Sequence, residues 1–160
     1  MNLTHLHLIL NHVPVFGTAF GLGLLVFAIW RKSEELKKTT LGVFVIVALL
    51  AVPVYLTGEP AEDGVKSLPG VSKPIIEQHE EAATVAFTSV VVLGVTALAG
   101  LLLFRRGKMV PAWYGYVMLA ASLIVGGLMV WTANMGGQVR HTEIRSSASP
   151  PAVIGDKNHE

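Results

Sequence analysis

Apolar residues in this chain come in long blocks. They do not recur at the three-to-four spacing of a half-buried helix or alternate as in a strand. Four blocks stand out, at about 13–30, 41–56, 82–104 and 110–135, and none of them contains Asp, Glu, Lys or Arg. A bilayer core of roughly 30 Å takes about 20 helical residues. Backbone in lipid must also close its own hydrogen bonds, which a single apolar run does only as a helix. The pattern therefore predicts an all-α fold, an integral membrane four-helix bundle. The second block is short, and Thr39, Thr40 and Thr57 at its ends can lengthen it. Gly17-x-x-x-Gly21, Gly94, Gly100 and Gly126-Gly127 are the expected points of close helix approach. Gly136-Gly137 reads as the stop that ends the fourth helix and lets the chain fold back over the bundle.

The polar segments orient the bundle. Arg31, Lys32, Lys37 and Lys38 separate the first two blocks, and Arg105, Arg106 and Lys108 separate the last two. Cations crowded into short turns belong on the cytoplasmic side. The long connection, 57–81, carries Lys66 and Lys73 against Glu59, Glu62, Asp63, Glu77, Glu80 and Glu81, and is expected outside with both termini. Residues 1–145 then form the transmembrane domain, and 146–160, with Pro150-Pro151, reads as a disordered tail. The chain also halves into two hairpins of the same direction, whose second helices end in "VYLTGE" and "VWTANMGG". Two parallel-repeated hairpins would produce that.

Composition agrees with a membrane setting. The chain is 52% hydrophobic and 14% charged, where soluble domains average about a quarter charged. Its mean hydropathy is +0.57. A formal charge of +1 offers no footprint for nucleic acid. With no cysteine, disulfides, thiolate zinc sites, iron–sulfur clusters and c-type haem attachment are excluded. The opening "MNLTHLHLILNHVPVFG" lacks a basic n-region, so the first block is expected to be a retained helix and not a cleaved signal.

The candidate chemistry lies in histidine. His5, His7, His12, His79, His141 and His159 all fall on the predicted outer side. His159 is in the tail. His5 and His12, seven apart, share a helix face, and His7 points roughly the opposite way. Ala19 and Gly23 lie below His12, and Ala82, Ala83 and Ala86 below His79, leaving room for something flat. Glu59, Glu62, Glu80 and Glu143 stand nearby, and Arg140 and Arg145 flank His141.

The stretch "HLHLILNHVPVFGTAFGL", with "VYLTGE" and "GGQVRH", resembles a widespread family of four-helix bacterial membrane proteins described only as a domain of unknown function. The resemblance covers about residues 5–141 and rests on His5, His12-Val13-Pro14, Gly58 and Gly136-Gly137. It departs in having Leu6 where the family often has Pro, and in its longer, more acidic outer connection. It implies a bacterial inner membrane protein with functional outer histidines and no assigned reaction.

The expectation that follows is a b-type haem protein passing electrons at the outer, periplasmic face, as a small subunit beside other membrane or periplasmic redox proteins. Its ligands would come from His12, His79 and His141, with His5 in reserve and Arg140 and Arg145 on the propionates. Phe16, Phe20, Tyr55, Phe87 and Trp131 would wall the ring. Bis-histidine ligation needs two imidazoles on different helices. The alternatives are a non-haem zinc or iron site on His12, His79, His141, Glu80 and Glu59, or a purely structural accessory subunit, homo- or hetero-oligomeric. No block carries the intramembrane charge that marks an ion path.

Overall fold

The computed structural model describes residues 3–145; the 146–160 segment expected as a tail, with His159, lies outside the described residues. The described elements are all helical: α1 (Leu3–Leu10), α2 (His12–Trp30), α3 (Glu34–Leu56), α4 (Gly58–Asp63), α5 (Lys73–Leu103), α6 (Ala112–Arg140) and a 3-10 turn at Thr142–Ile144. Four stretches are long and apolar enough to cross a membrane: Leu3–Trp30, Glu34–Leu56, Lys73–Leu103 and Ala112–Arg140. No more than 33% of the most apolar part of any of them is buried. Apolar surface left outward on that scale needs lipid as its solvent. The chain is an all-α, multi-pass membrane protein.

The helices overrun their apolar blocks, for local reasons. Ser33 caps α3, its hydroxyl accepting from the Leu36 N–H at 3.3 Å, and Glu34 and Glu35 fill the first turn, where the helix dipole favours anions. Pro74 opens α5, where a missing N–H costs nothing. Between α1 and α2 the chain breaks at Asn11, because the Pro14 ring crowds the carbonyl one turn earlier; the Asn11 N–H still reaches the His7 carbonyl at 2.9 Å. The expected stop at Gly136-Gly137 is not there: α6 continues through both glycines to Arg140. A helix-interior glycine costs only about 1 kcal/mol, and packing at Gly136, described below, accounts for its presence.

The spans close a ring in which α2 packs on α3, α3 on α5, α5 on α6, and α6 back on α2. Both described ends of the chain lie at one end of this ring with α4, and the two cationic turns lie at the other. The core between the helices holds Leu25, Leu41, Phe44, Val90, Leu93 and Met118. At the cationic end, Glu34 clasps the turns together. Its Oε2 accepts from the Val110 N–H at 2.6 Å and its Oε1 from Lys37 Nζ at 2.7 Å. Lys37 also reaches the Val110 carbonyl at 3.4 Å.

Glycine sets the helix spacing. A Cβ added at Gly17 would meet Val47 Cγ2 at 2.6 Å, one at Gly21 would meet Phe44 Cε1 at 2.5 Å, and one at Gly94 would meet Ala48 Cβ at 2.3 Å. Gly100 receives the Tyr114 ring, whose hydroxyl donates to the Thr96 carbonyl. Gly23, Gly126 and Gly127 have nothing within 4 Å. Gly94→Ala is therefore expected to destabilise by about 1–3 kcal/mol through overpacking, since neither Ala48 nor the Phe44 carbonyl can move aside. Gly126→Ala should be neutral or slightly stabilising. Thermal melts in detergent compare the two, and equal melting temperatures would contradict this packing.

Candidate functional site

The inward face of α2 follows a three-and-four rhythm through Pro14, Thr18, Gly21, Leu25 and Ala28. Stepping that rhythm back toward the N-terminus reaches Asn11 and then His7. The inward face of α5, through Ala86, Val90, Leu93, Ala97 and Gly100, steps back to Ala82 and His79. The histidine that the face argument set aside, His7, is thus one that turns inward. The signal was present in the phase of Thr18 and Gly21, and was overridden by the small residues Ala19 and Gly23 on the opposite stripe.

Each inward imidazole leans on a backbone carbonyl of the next long helix. His7 Nδ1 lies 3.1 Å from the Val54 carbonyl and 3.2 Å from Thr57 Oγ1. A carbonyl only accepts, so Nδ1 carries the proton and Nε2 keeps its lone pair. The Thr57 hydroxyl in turn donates to the Pro53 carbonyl at 2.8 Å. A Cβ at Gly58 would come within 3.8 Å of His7 Cε1. On the other side of the bundle, the His79 ring faces the Thr132 carbonyl and lies within electrostatic reach of His7. Thr132 donates its hydroxyl to the Ala82 carbonyl at 3.0 Å, tying α5 to α6 at this level. A Cβ at Gly136 would sit 3.0 Å from His79 Cε1. Gly136 thus makes the recess that the His79 ring fills.

Polar atoms without partners gather at this end. His79 Nδ1, Glu62 Oε1 and Asn11 Oδ1 are buried and make no hydrogen bond. Glu62, at the end of α4, faces Glu80 across the gap to α5, while Lys66 Nζ lies 3.4 Å from its Oε2. Burial, and then the nearby Glu80 carboxylate, push the Glu62 carboxyl above its ordinary value, against a smaller opposing pull from Lys66. Above them, Arg145 holds the loop down: its Nε donates to the Gln138 carbonyl at 2.8 Å, and its Nη2 to Val139 at 3.0 Å and Gly70 at 2.9 Å. These contacts satisfy the last carbonyls of α6 and anchor the connection before α5.

The remaining expected residues are dispersed. His12 is exposed and stacks on Phe16, with centroids 6.2 Å apart, on the same outward stripe as Ala19 and Gly23. His5 is exposed as well. His141 is exposed, and its Nδ1 lies 2.8 Å from Glu143 Oε1; with α6 running straight through its glycines, nothing folds His141 back over the bundle. The Glu143 carboxyl is held low by its own backbone N–H and then by His141. Glu59, Glu80 and Arg140 are exposed. Arg145 is engaged with carbonyls, so the pair expected for propionates is not assembled. Phe16, Phe20 and Trp131 face outward, and Tyr55 and Phe87 stack on each other at 4.3 Å. His12, His79, His141, Glu80 and Glu59 therefore do not converge. Among the described residues, no three His, Asp or Glu side chains are grouped to hold a metal ion.

No family model matches the chain, and neither does any curated protein or solved structure. The family resemblance rests on its motifs alone.

Two outcomes are expected from this geometry. Gly136→Ala should destabilise the wild type by about 1 kcal/mol or more through overpacking. In a His79→Ala background it should instead be neutral or stabilising, because the ring that occupies the recess is gone. A double-mutant cycle by thermal melting checks this, and simple additivity would refute the contact. For Glu62, a carboxyl raised above the ordinary 4.5 favours the folded state when protonated. Its contribution is full below that value and is lost as pH rises through the raised one. Glu62→Gln should flatten the dependence of melting temperature on pH in that window, and an unchanged profile would exclude Glu62 as its source.

Proposed function

We propose that this chain is a small membrane redox subunit that holds a b-type haem on His7 and His79. The observation that carries the reading is the equivalence of the two histidines. His7 engages the Val54 carbonyl with Gly58 four residues on, and His79 faces the Thr132 carbonyl with Gly136 four residues on. The equivalence extends down the helices. Buried positions 14, 18, 21, 25 and 28 of α2 correspond to buried positions 86, 90, 93, 97 and 100 of α5, each 72 residues on, as His79 is from His7. Thr40, Phe44, Val47 and Ala51 of α3 correspond to Met118, Ser122, Val125 and Met129 of α6, each 78 residues on, as Thr132 is from Val54. This register supports two parallel-repeated hairpins that contribute one inward imidazole each.

The donor chemistry fits haem better than a bare ion. A bis-histidine haem iron takes two protein ligands, whereas a structural or catalytic zinc takes three or four; the described residues bring two imidazoles inward, on α1 and α5. His79 Nδ1 is buried without a partner, and the carbonyl at His7 Nδ1 leaves Nε2 as the lone-pair nitrogen of that ring. A carbonyl on the other ring nitrogen fixes the orientation of a ligating histidine. Bound there, haem would supply one-electron transfer. The chain's own part is to orient the imidazoles, while Arg145 ties the connection before α5 to the end of α6. The charge of the short turns supports a periplasmic position for this end and both termini, in a bacterial inner membrane. Partners would be membrane or periplasmic redox proteins. A non-haem iron or zinc site is the second reading, favoured by the unpartnered Glu62 Oε1 beside Glu80.

Absorption spectroscopy of the detergent-purified protein tests both. A Soret band that shifts on reduction is expected; His7→Ala and His79→Ala should each abolish it, and His12→Ala and His141→Ala should not. A colourless protein carrying stoichiometric zinc or iron would replace haem with the second reading, and a colourless, metal-free one would sink both.

A further inference from the structure

The opposite end of the bundle carries a feature that this function does not use. Arg31, Lys32, Arg105, Arg106 and Lys108 are exposed, and none of the five pairs with a described carboxylate, whereas half-buried Lys38 lies within electrostatic reach of Glu34. The local anion that would neutralise them, Glu34, is committed to Lys37 and to the Val110 N–H. Among the described residues of this end, Glu35 is the one exposed carboxylate against the five cations. The same clasp draws the two turns together, since Glu34 follows Arg31 and Lys32 closely and Val110 follows Lys108. Left-handed backbone at Lys32 (φ 53°), Arg106 (φ 57°) and Gly107 (φ 79°) makes both turns tight, keeping their cations close to the helix ends. Around them stand exposed Trp30, Met109, Trp113 and Tyr116, of which the Trp and Tyr rings suit the headgroup level of a bilayer.

We propose that this end is a binding surface for an anionic phospholipid, whose phosphodiester and net charge are met jointly by Arg31 and Lys32 of one turn and Arg105, Arg106 and Lys108 of the other. Charge complementarity identifies the occupant. A zwitterionic headgroup brings no net charge to a surface with five unpaired cations, whereas an anionic one does. Guanidinium groups bind phosphate through two parallel hydrogen bonds, and each basic residue near an anionic surface is worth roughly a fivefold gain in partition.

Native mass spectrometry of the full chain from mixed micelles of phosphatidylglycerol and phosphatidylcholine tests it. The wild type should retain phosphatidylglycerol preferentially, with the preference falling as salt rises. Arg31→Gln, Arg105→Gln and Arg106→Gln combined should reduce the preference by at least about fivefold, while the same three positions changed to Lys, and Arg140→Gln at the other end, should preserve most of it. Equal retention of the two lipids by the wild type would overturn the proposal. So would a preference unchanged in the triple Gln variant, or one suppressed as well by inorganic phosphate as by competing phosphatidylglycerol. If the Gln variant does not fold, the salt dependence and the Lys variant decide: a salt-independent preference, or one lost on Arg-to-Lys exchange, counts against it.

Discussion

Close backbone approach is the constraint on which this bundle depends. In lipid, burying a leucine against another helix gains little, because the acyl chains are equally apolar. What remains is dispersion at short range, and short range needs residues without side chains. Gly17, Gly21 and Gly94 all meet α3, at Val47, Phe44 and Ala48. The third helix is thus the one against which its two neighbours are seated. Phe44 shows why: it is fully buried, fills the notch at Gly21, and its carbonyl faces Gly94. The outward faces need no such fit, and they carry Phe16, Phe20, Val92, Val95 and Ile124 into the lipid.

The same device builds the histidine end. An imidazole between helices needs both space and a polar partner, and a membrane helix spends its carbonyls on itself. Val54 stands in the last turn of α3, where that restriction relaxes, whereas Thr132 stands two turns before the end of α6 and offers the second lone pair of its carbonyl. A glycine one turn further on removes the Cβ that would fill the gap. Carbonyl and glycine four residues apart thus make a socket for an imidazole entering from the preceding span. The acidic connection and Arg145 close over it, joining α4, the loop at Gly70 and the end of α6. Polar groups that would be costly at the midplane are tolerable at this level, where water and headgroups remain within reach.

The spans were legible because hydropathy is a block property, insensitive to small errors of phase. The helix ends were not, since Glu34 and Lys73 begin helices through capping and dipole effects that an apolar run does not register. The histidines failed on phase. His5 and His12 do share a face, but it is the lipid face, and deciding between the two stripes of α2 required knowing which small residues pack. Gly17 and Gly21 pack; Ala19 and Gly23 do not. Gly136-Gly137 failed for a related reason. Glycine near an apolar run's end is a fair stop signal in a soluble helix, but in a bundle held by close approach its absence of side chain can serve a neighbour. Only the position of His79, on another helix, distinguishes the two uses.

The two sockets are equivalent in plan but unequal in tightness. His79 is confined by shape: Gly136 leaves it 3.0 Å where a Cβ would be, and one ring nitrogen stays unpartnered. His7 is confined by hydrogen bonds, to Val54 and Thr57, with a looser 3.8 Å at Gly58. Both rings also face a backbone carbonyl, so the two sockets combine shape and a polar partner in different proportion. The more loosely seated ring is the one carried by α1, whose backbone runs into α2 through a helical Asn11 that keeps its bond to the His7 carbonyl.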